Sequence, residues 1–165
     1  MIGILGGSFD PIHYGHLHIA QAVYQQLHLQ DVRFLPCKNP VNDKKVIATG
    51  QQRLAMLKLA LQPFPYFSID EREFHRATPS YMVETLASLR VEGGNISLGL
   101  ILGVDNLASL NHWHQWKSLI NYTHLLIVPR PGHTKTYSKE VDTFVKKYQI
   151  QDSALLSQQP SGFLY

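Results

Sequence analysis

The stretch Ile2-Gly3-Ile4-Leu5-Gly6-Gly7-Ser8-Phe9-Asp10-Pro11-Ile12-His13-Tyr14-Gly15-His16 decides how this chain folds. A short apolar run, Ile2 to Leu5, leads into a glycine-rich turn and then an amphipathic segment. That order predicts strand, tight loop and helix start. The first N–H groups of a helix have no intrahelical partner and carry partial positive charge, so such a start binds phosphate. His13 and His16 flank Gly15 at this same place. Two imidazoles there point to chemistry on a phosphate rather than to binding alone.

Outward from this stretch, strand-like and helix-like segments alternate. From His16 to Leu27, the residues Leu17, Ala20, Tyr24 and Leu27 share one helical face. Val32–Leu35 reads as a second strand, stopped by Pro36. Thr49-x-x-Gln52 reads as a capping box opening a helix with Leu54, Leu57 and Leu61 inward. Phe67–Asp70 is a third strand. Ser80 is placed to cap a helix that buries Met82, Leu86 and Leu89 and ends at Gly93-Gly94. Ile96–Leu102, almost wholly apolar, suits the centre of a parallel sheet. Leu125–Val128 is another strand, Val141, Phe144, Val145 and Tyr148 mark a helix, and Ala154–Leu156 reads as a last short strand. Strands separated by helices predict an α/β, Rossmann-like, doubly wound parallel sheet in a single domain spanning residues 1–165. Such folds bind ligands beyond the carboxyl ends of the strands. Pro36–Gly50, the longest connection, reads as a polar substrate cover.

Composition narrows the classes. The chain has 165 residues, 16% of them charged, with a net charge of +3. Lysines and arginines are dispersed, which suits small anionic substrates and argues against a nucleic-acid partner. No apolar run is long enough for a membrane span, and no leader is expected ahead of the first strand. Cys37 is the only cysteine, so no intramolecular disulfide is possible, and a cytoplasmic location is expected. The spacing Gly3-x-x-Gly6-Gly7 is not the dinucleotide fingerprint, and no P-loop motif occurs. His13, His16 and His18 do not make a zinc site, because only Asp10 and one cysteine could complete it.

Gly-Gly-Ser-Phe-Asp-Pro-Ile-His-x-Gly-His, residues 6 to 16, resembles the signature of the HxGH nucleotidylyltransferases. Over roughly residues 1 to 132 the chain is most similar to the branch that joins nicotinate mononucleotide to ATP in NAD biosynthesis. The resemblance implies ATP and nicotinate mononucleotide as substrates, with Mg2+ carried on the ATP phosphates. It implies that His13 and His16 are catalytic and face those phosphates. Gly6, Gly7, Ser8 and Phe9 would contact nucleotide through backbone and side chain, although the Phe9 ring suits core packing equally well. Asp10 is assigned to fixing the loop before Pro11.

Further residues follow from the same likeness. Leu35-Pro36-Cys37-Lys38-Asn39-Pro40-Val41-Asn42-Asp43-Lys44 resembles the family's proline-rich substrate loop. Val41 and Asn42 stand where proline and histidine are usual, and Lys44 either contacts a phosphate or is a solvated lysine. Arg53 either holds this loop, reaches a phosphate or lies on the surface. Pro79-Ser80-Tyr81-Met82-Val83-Glu84-Thr85-Leu86 resembles Ser-Tyr-x-x-Asp-Thr-Leu, with Thr85 on the nicotinate side. In Gly103-Val104-Asp105-Asn106-Leu107, Asp105 would accept ribose hydroxyls. Trp113 would stack on the nicotinate ring, with backbone N–H groups around His114 pairing with its carboxylate, whereas Trp116 reads as core. Arg130 takes a structural or ATP-side role. The family's Ile-Ser-Ser-Thr-x-Ile-Arg segment, a second phosphate cradle, does not occur in this sequence. Weak ATP binding and slow turnover are therefore expected. Same-fold alternatives are transfer to nicotinamide mononucleotide or phosphopantetheine, and a further alternative is a weakly active nucleotide-binding fragment.

Overall fold

The structure is a computed structural model that describes residues 1–38, 46–130 and 137–165. The chain divides into two compact units, Ile2–Tyr81 and Met82–Tyr165 with Met1.

The first unit alternates strand and helix: β1 (Ile2–Gly7), α1 (Tyr14–Gln26), β2 (Asp31–Pro36), α2 (Gly50–Leu61) and β3 (Phe67–Ile69). Its strands are parallel, with β1 from Ile2 to Gly7 facing β2 from Asp31 to Pro36, and Val32 facing Phe67 on β3. Ile4, Val32, Phe34, Leu35 and Leu57 are fully or almost fully buried. Strands apolar on both faces need helices over them, and α1 covers them with Leu17, Ala20 and Val23. Val23 holds the place expected for Tyr24, whose ring instead stacks on Tyr66 at 4.2 Å. On α2 the buried stripe is Arg53, Leu57 and Leu61 rather than Leu54, Leu57 and Leu61. The Thr49 capping box is present in full: its hydroxyl accepts from Gln52 N–H at 3.2 Å, and the Gln52 carboxamide accepts from Thr49 N–H at 2.9 Å.

The second unit holds α3 (Met82–Gly93), β4 (Leu98–Gly103), α4 (Val104–Ala108), β5 (His124–Val128) and α5 (Lys139–Tyr148). Two 3-10 turns, Leu110–His112 and Trp116–Asn121, lie between α4 and β5. β4 and β5 are parallel, from Gly99 opposite His124 to Gly103 opposite Val128. β4 starts at Leu98 instead of Ile96, since Ile96 is exposed and its N–H closes a turn onto Gly93. Val83 is buried on α3 where Met82 was expected to point inward.

One expected element is corrected. Ala154–Leu156 is not a strand but part of a 3-10 helix, Ser153–Ser157. The Asp152 carboxylate caps it by accepting from Ala154 N–H at 2.9 Å, a local bond that competes with extended backbone. The strand-like pairing falls later, where Leu164 bridges in parallel to Leu125 and Tyr165 N–H donates to Leu125 O at 2.9 Å. No helix among the described residues is long and apolar enough to cross a membrane.

Candidate active site

The first unit carries the histidine turn. β1 ends at Gly7, and the chain turns through Ser8 to Ile12 before α1 begins. His13 is the extended residue that starts α1, its carbonyl accepting from His16 N–H at 3.0 Å and Leu17 N–H at 3.4 Å. No side chain caps this helix start, and no acidic residue lies in its first turn. Both facts leave the 13-residue helix's positive end fit for an anion.

The His13 and His16 rings lie 3.9 Å apart, His13 exposed and His16 half-buried. Gly15 makes this arrangement fit. A Cβ there would stand 3.0 Å from His13 Cε1 and Nδ1. The glycine between the histidines is thus a steric requirement of the His13 ring position.

Phe9 settles one open alternative. The residue is 1% exposed, its ring packed against His16 at 5.1 Å and Phe34 at 5.7 Å. The Phe9 ring is core. A Cβ on Gly7 would lie 3.1 Å from that ring, so Gly7 makes room for it. Gly6 and Ser8 are half-buried. Asp10 fixes a loop as expected, but a distant one: its carboxylate accepts from the N–H groups of Ile47 and Ala48, just ahead of α2.

Arg53, left open between three roles, is 2% exposed. Its guanidinium donates to the carbonyls of Ser8 at 2.6 Å, Cys37 at 2.8 Å and Lys38 at 3.3 Å. It holds loops and does not lie on the surface. The spacing carries a signal, because Arg53 falls on the same helical face as Leu57 and Leu61, but its charge masks it. Beside it, burial and the Glu73 charge push the Cys37 thiol up, with the Arg53 charge opposing them. A thiol held protonated is a poor nucleophile. Lys44 lies outside the described residues.

The second unit carries the other named residues. Asp105 lies in the first turn of α4, directly beyond β4, and Arg130 follows β5. The structure brings the two together: Arg130 Nη1 donates to Asp105 Oδ2 at 3.0 Å, both side chains being exposed. Trp113 is half-buried between the two 3-10 turns, and His114 beside it is exposed. Trp116 is core, its ring 5.0 Å from Phe144. Thr85, expected on the nicotinate side, is fully buried in α3.

His124, unremarked in the sequence, is fully buried at the start of β5. Its Nδ1 accepts from Phe163 N–H at 3.1 Å, so Nε2 carries the proton and donates to Gln159 O at 3.0 Å. Burial pushes its pKa below the usual imidazole range. This is a structural histidine holding the 159–163 segment.

Comparison with known proteins gives concordant results. The family model described as cytidylyltransferase-like matches residues 4–156. A protein of Serratia proteamaculans named a probable nicotinate-nucleotide adenylyltransferase is 43% identical over 164 residues, covering 98% of this chain and 74% of that protein. A protein of the same name from Methylococcus capsulatus is 42% identical, covering 100% of this chain and 79% of its own length. Among solved structures, Plasmodium falciparum nicotinic acid mononucleotide adenylyltransferase complexed with NaAD superposes with a TM-score of 0.70 at 21% identity. That match covers 86% of this chain and 69% of the Plasmodium chain. The same enzyme complexed with APC gives 0.69 at 17% identity, with the same coverage. These structural likenesses establish the α/β, Rossmann-like fold.

Proposed function

This chain belongs to the cytidylyltransferase-like family and, within it, to the nicotinate-nucleotide adenylyltransferases, and we propose from that premise how its residues divide the work. The reaction is adenylyl transfer from ATP to nicotinate mononucleotide, giving nicotinate adenine dinucleotide and diphosphate. The phosphate of the mononucleotide attacks the α-phosphorus of ATP, and diphosphate leaves. The attacking phosphate is already an anion, so no strong base is needed, and catalysis is positioning plus electrostatics.

One observation carries the assignment of roles: two imidazoles 3.9 Å apart at an uncapped helix start beyond a strand. His13 and His16 donate to the phosphate oxygens on which charge develops in the transition state. The α1 N–H groups and the backbone of Gly6, Gly7, Ser8 and Phe9 hold the phosphates. The Asp105 carboxylate accepts ribose hydroxyls, with Arg130 beside it as the second charge. Trp113 stacks on the nicotinate ring, and the backbone at His114 receives the ring carboxylate. Thr85, buried in α3, supports the nicotinate side from behind. Lys44 is assigned to the mononucleotide phosphate from its place in the substrate loop.

Mg2+ would arrive on the triphosphate and would neutralise charge there. Among the described residues no three His, Cys, Asp or Glu side chains converge to hold a metal. A magnesium ion that keeps most of its waters needs no such cage.

The test is product formation from ATP and nicotinate mononucleotide, run beside nicotinamide mononucleotide and phosphopantetheine. Nicotinate adenine dinucleotide and stoichiometric diphosphate are expected, with a higher kcat/KM for nicotinate mononucleotide than for the nicotinamide analogue. Preference for either other acceptor would overturn the substrate assignment.

A further inference from the structure

A buried guanidinium that meets three backbone carbonyls is an unusual use of charge. Arg53 lies in the first turn of α2, and its donors span two segments far apart in sequence: Ser8 in the turn before the histidines, and Cys37 and Lys38 directly after β2. The segment leading into α2 reaches the same turn from the other direction, because the Asp10 carboxylate takes the N–H groups of Ile47 and Ala48. Cys37 N–H also donates to Gly7 O at 3.0 Å. The Phe74 ring lies 5.9 Å from the guanidinium carbon and shields it. Residues 47–53 therefore grip the glycine turn at Asp10 and Ser8, and the Ser8 grip is shared with the segment after β2.

Burial of a guanidinium is unfavourable unless its donors are met, and an apolar side chain of similar volume would serve stability as well or better. What an apolar residue cannot do is hold two carbonyl-bearing loops at fixed separation. The planar fork of arginine does this, and a lysine, with one compact charge, does not.

We propose that Arg53 is a positioning residue that sets the glycine turn, and with it His13 and His16, against the start of the 37–38 segment. Its effect on turnover rests on the reaction assigned above; the clamp itself does not. Arg53 touches no reacting atom. It acts through the Ser8, Cys37 and Lys38 carbonyls.

The experiment compares the full chain with Arg53→Lys and Arg53→Met by steady-state kinetics and by amide exchange. In both variants kcat is expected to fall by about thirtyfold or more, the scale of sub-ångström misplacement of catalytic groups, with KM for ATP changed less than about threefold. Amides of residues 8–10 and 37–38 are expected to exchange faster together. Recovery of kcat by lysine would show that charge alone suffices, and recovery by methionine that packing suffices; either overturns the proposal. Loosening of one segment without the other overturns it too. Should a variant fail to fold, the wild-type chain still decides: a clamp requires segments 8–10 and 37–38 to open with one common exchange free energy, and separate openings refute it. Should the wild-type chain form no product, the reaction assignment falls, and the exchange result alone decides the clamp.

Discussion

At the scale of single residues, the geometry around His13 and His16 separates activity from stability. A donor aimed at charge that develops in the transition state typically contributes ~10²–10³ in rate. His16→Ala is therefore expected to lower kcat by about that factor, read as diphosphate release, while the circular dichroism of the chain stays unchanged. Gly15→Ala is the sharper test. Alanine is the better helix former by up to about 1 kcal/mol, so the melting temperature should hold or rise. Yet the added Cβ would stand 3.0 Å from the His13 ring, which is exposed and free to swing away. A swing of a few tenths of an ångström should lower kcat roughly tenfold, on the scale of about a hundredfold per ångström. A variant with lowered stability and unchanged kcat would show that Gly15 serves the helix rather than the ring.

At the scale of elements, α2 shows what local sequence can announce and what it cannot. Its start was legible because the Thr49–Gln52 box is satisfied within four residues, whatever the rest of the chain does. Thr49→Ala should destabilise the chain by about 1 kcal/mol, seen as a lower urea midpoint at unchanged m-value. Because Arg53 directly follows the box, the same variant should also loosen the Ser8 contact. The inward face of α2 was less legible, since a charge at the position of Arg53 reads as solvated until its three carbonyl partners are known. The final 3-10 helix reads as a strand for the opposite reason. Ala154, Leu155 and Leu156 look apolar enough for a strand, and only the Asp152 cap decides against it.

At the scale of the whole molecule, the parallel α/β class is legible because β1, β4 and most of β5 are apolar runs and helical patterns separate the strands. The reciprocal pairing of Asp105 with Arg130 could not be read, because 25 residues separate them and both are polar at the surface. The closure of the second unit was likewise hidden: Phe163-Leu164-Tyr165 has no strand pattern, and His124 looks like one histidine among nine. That closure makes stability depend on pH. His124 is buried and neutral, with Nδ1 accepting from Phe163 N–H, so a proton added there would break the bond that holds the segment. Its folded pKa is lowered from 6.5 by burial. Well above pH 6.5 the ring is neutral in both folded and unfolded chains, and its contribution is complete. As the pH falls below that value, the unfolded chain binds a proton that the folded chain resists, and stability declines until the folded pKa is reached, by at most about 1.4 kcal/mol per pH unit. Urea unfolding at pH 7.5, 6.5 and 5.5 should show this loss in the wild-type chain and a shallower slope in His124→Gln, whose amide cannot titrate. Equal slopes would assign the acid sensitivity to other groups and leave His124 with no part in it.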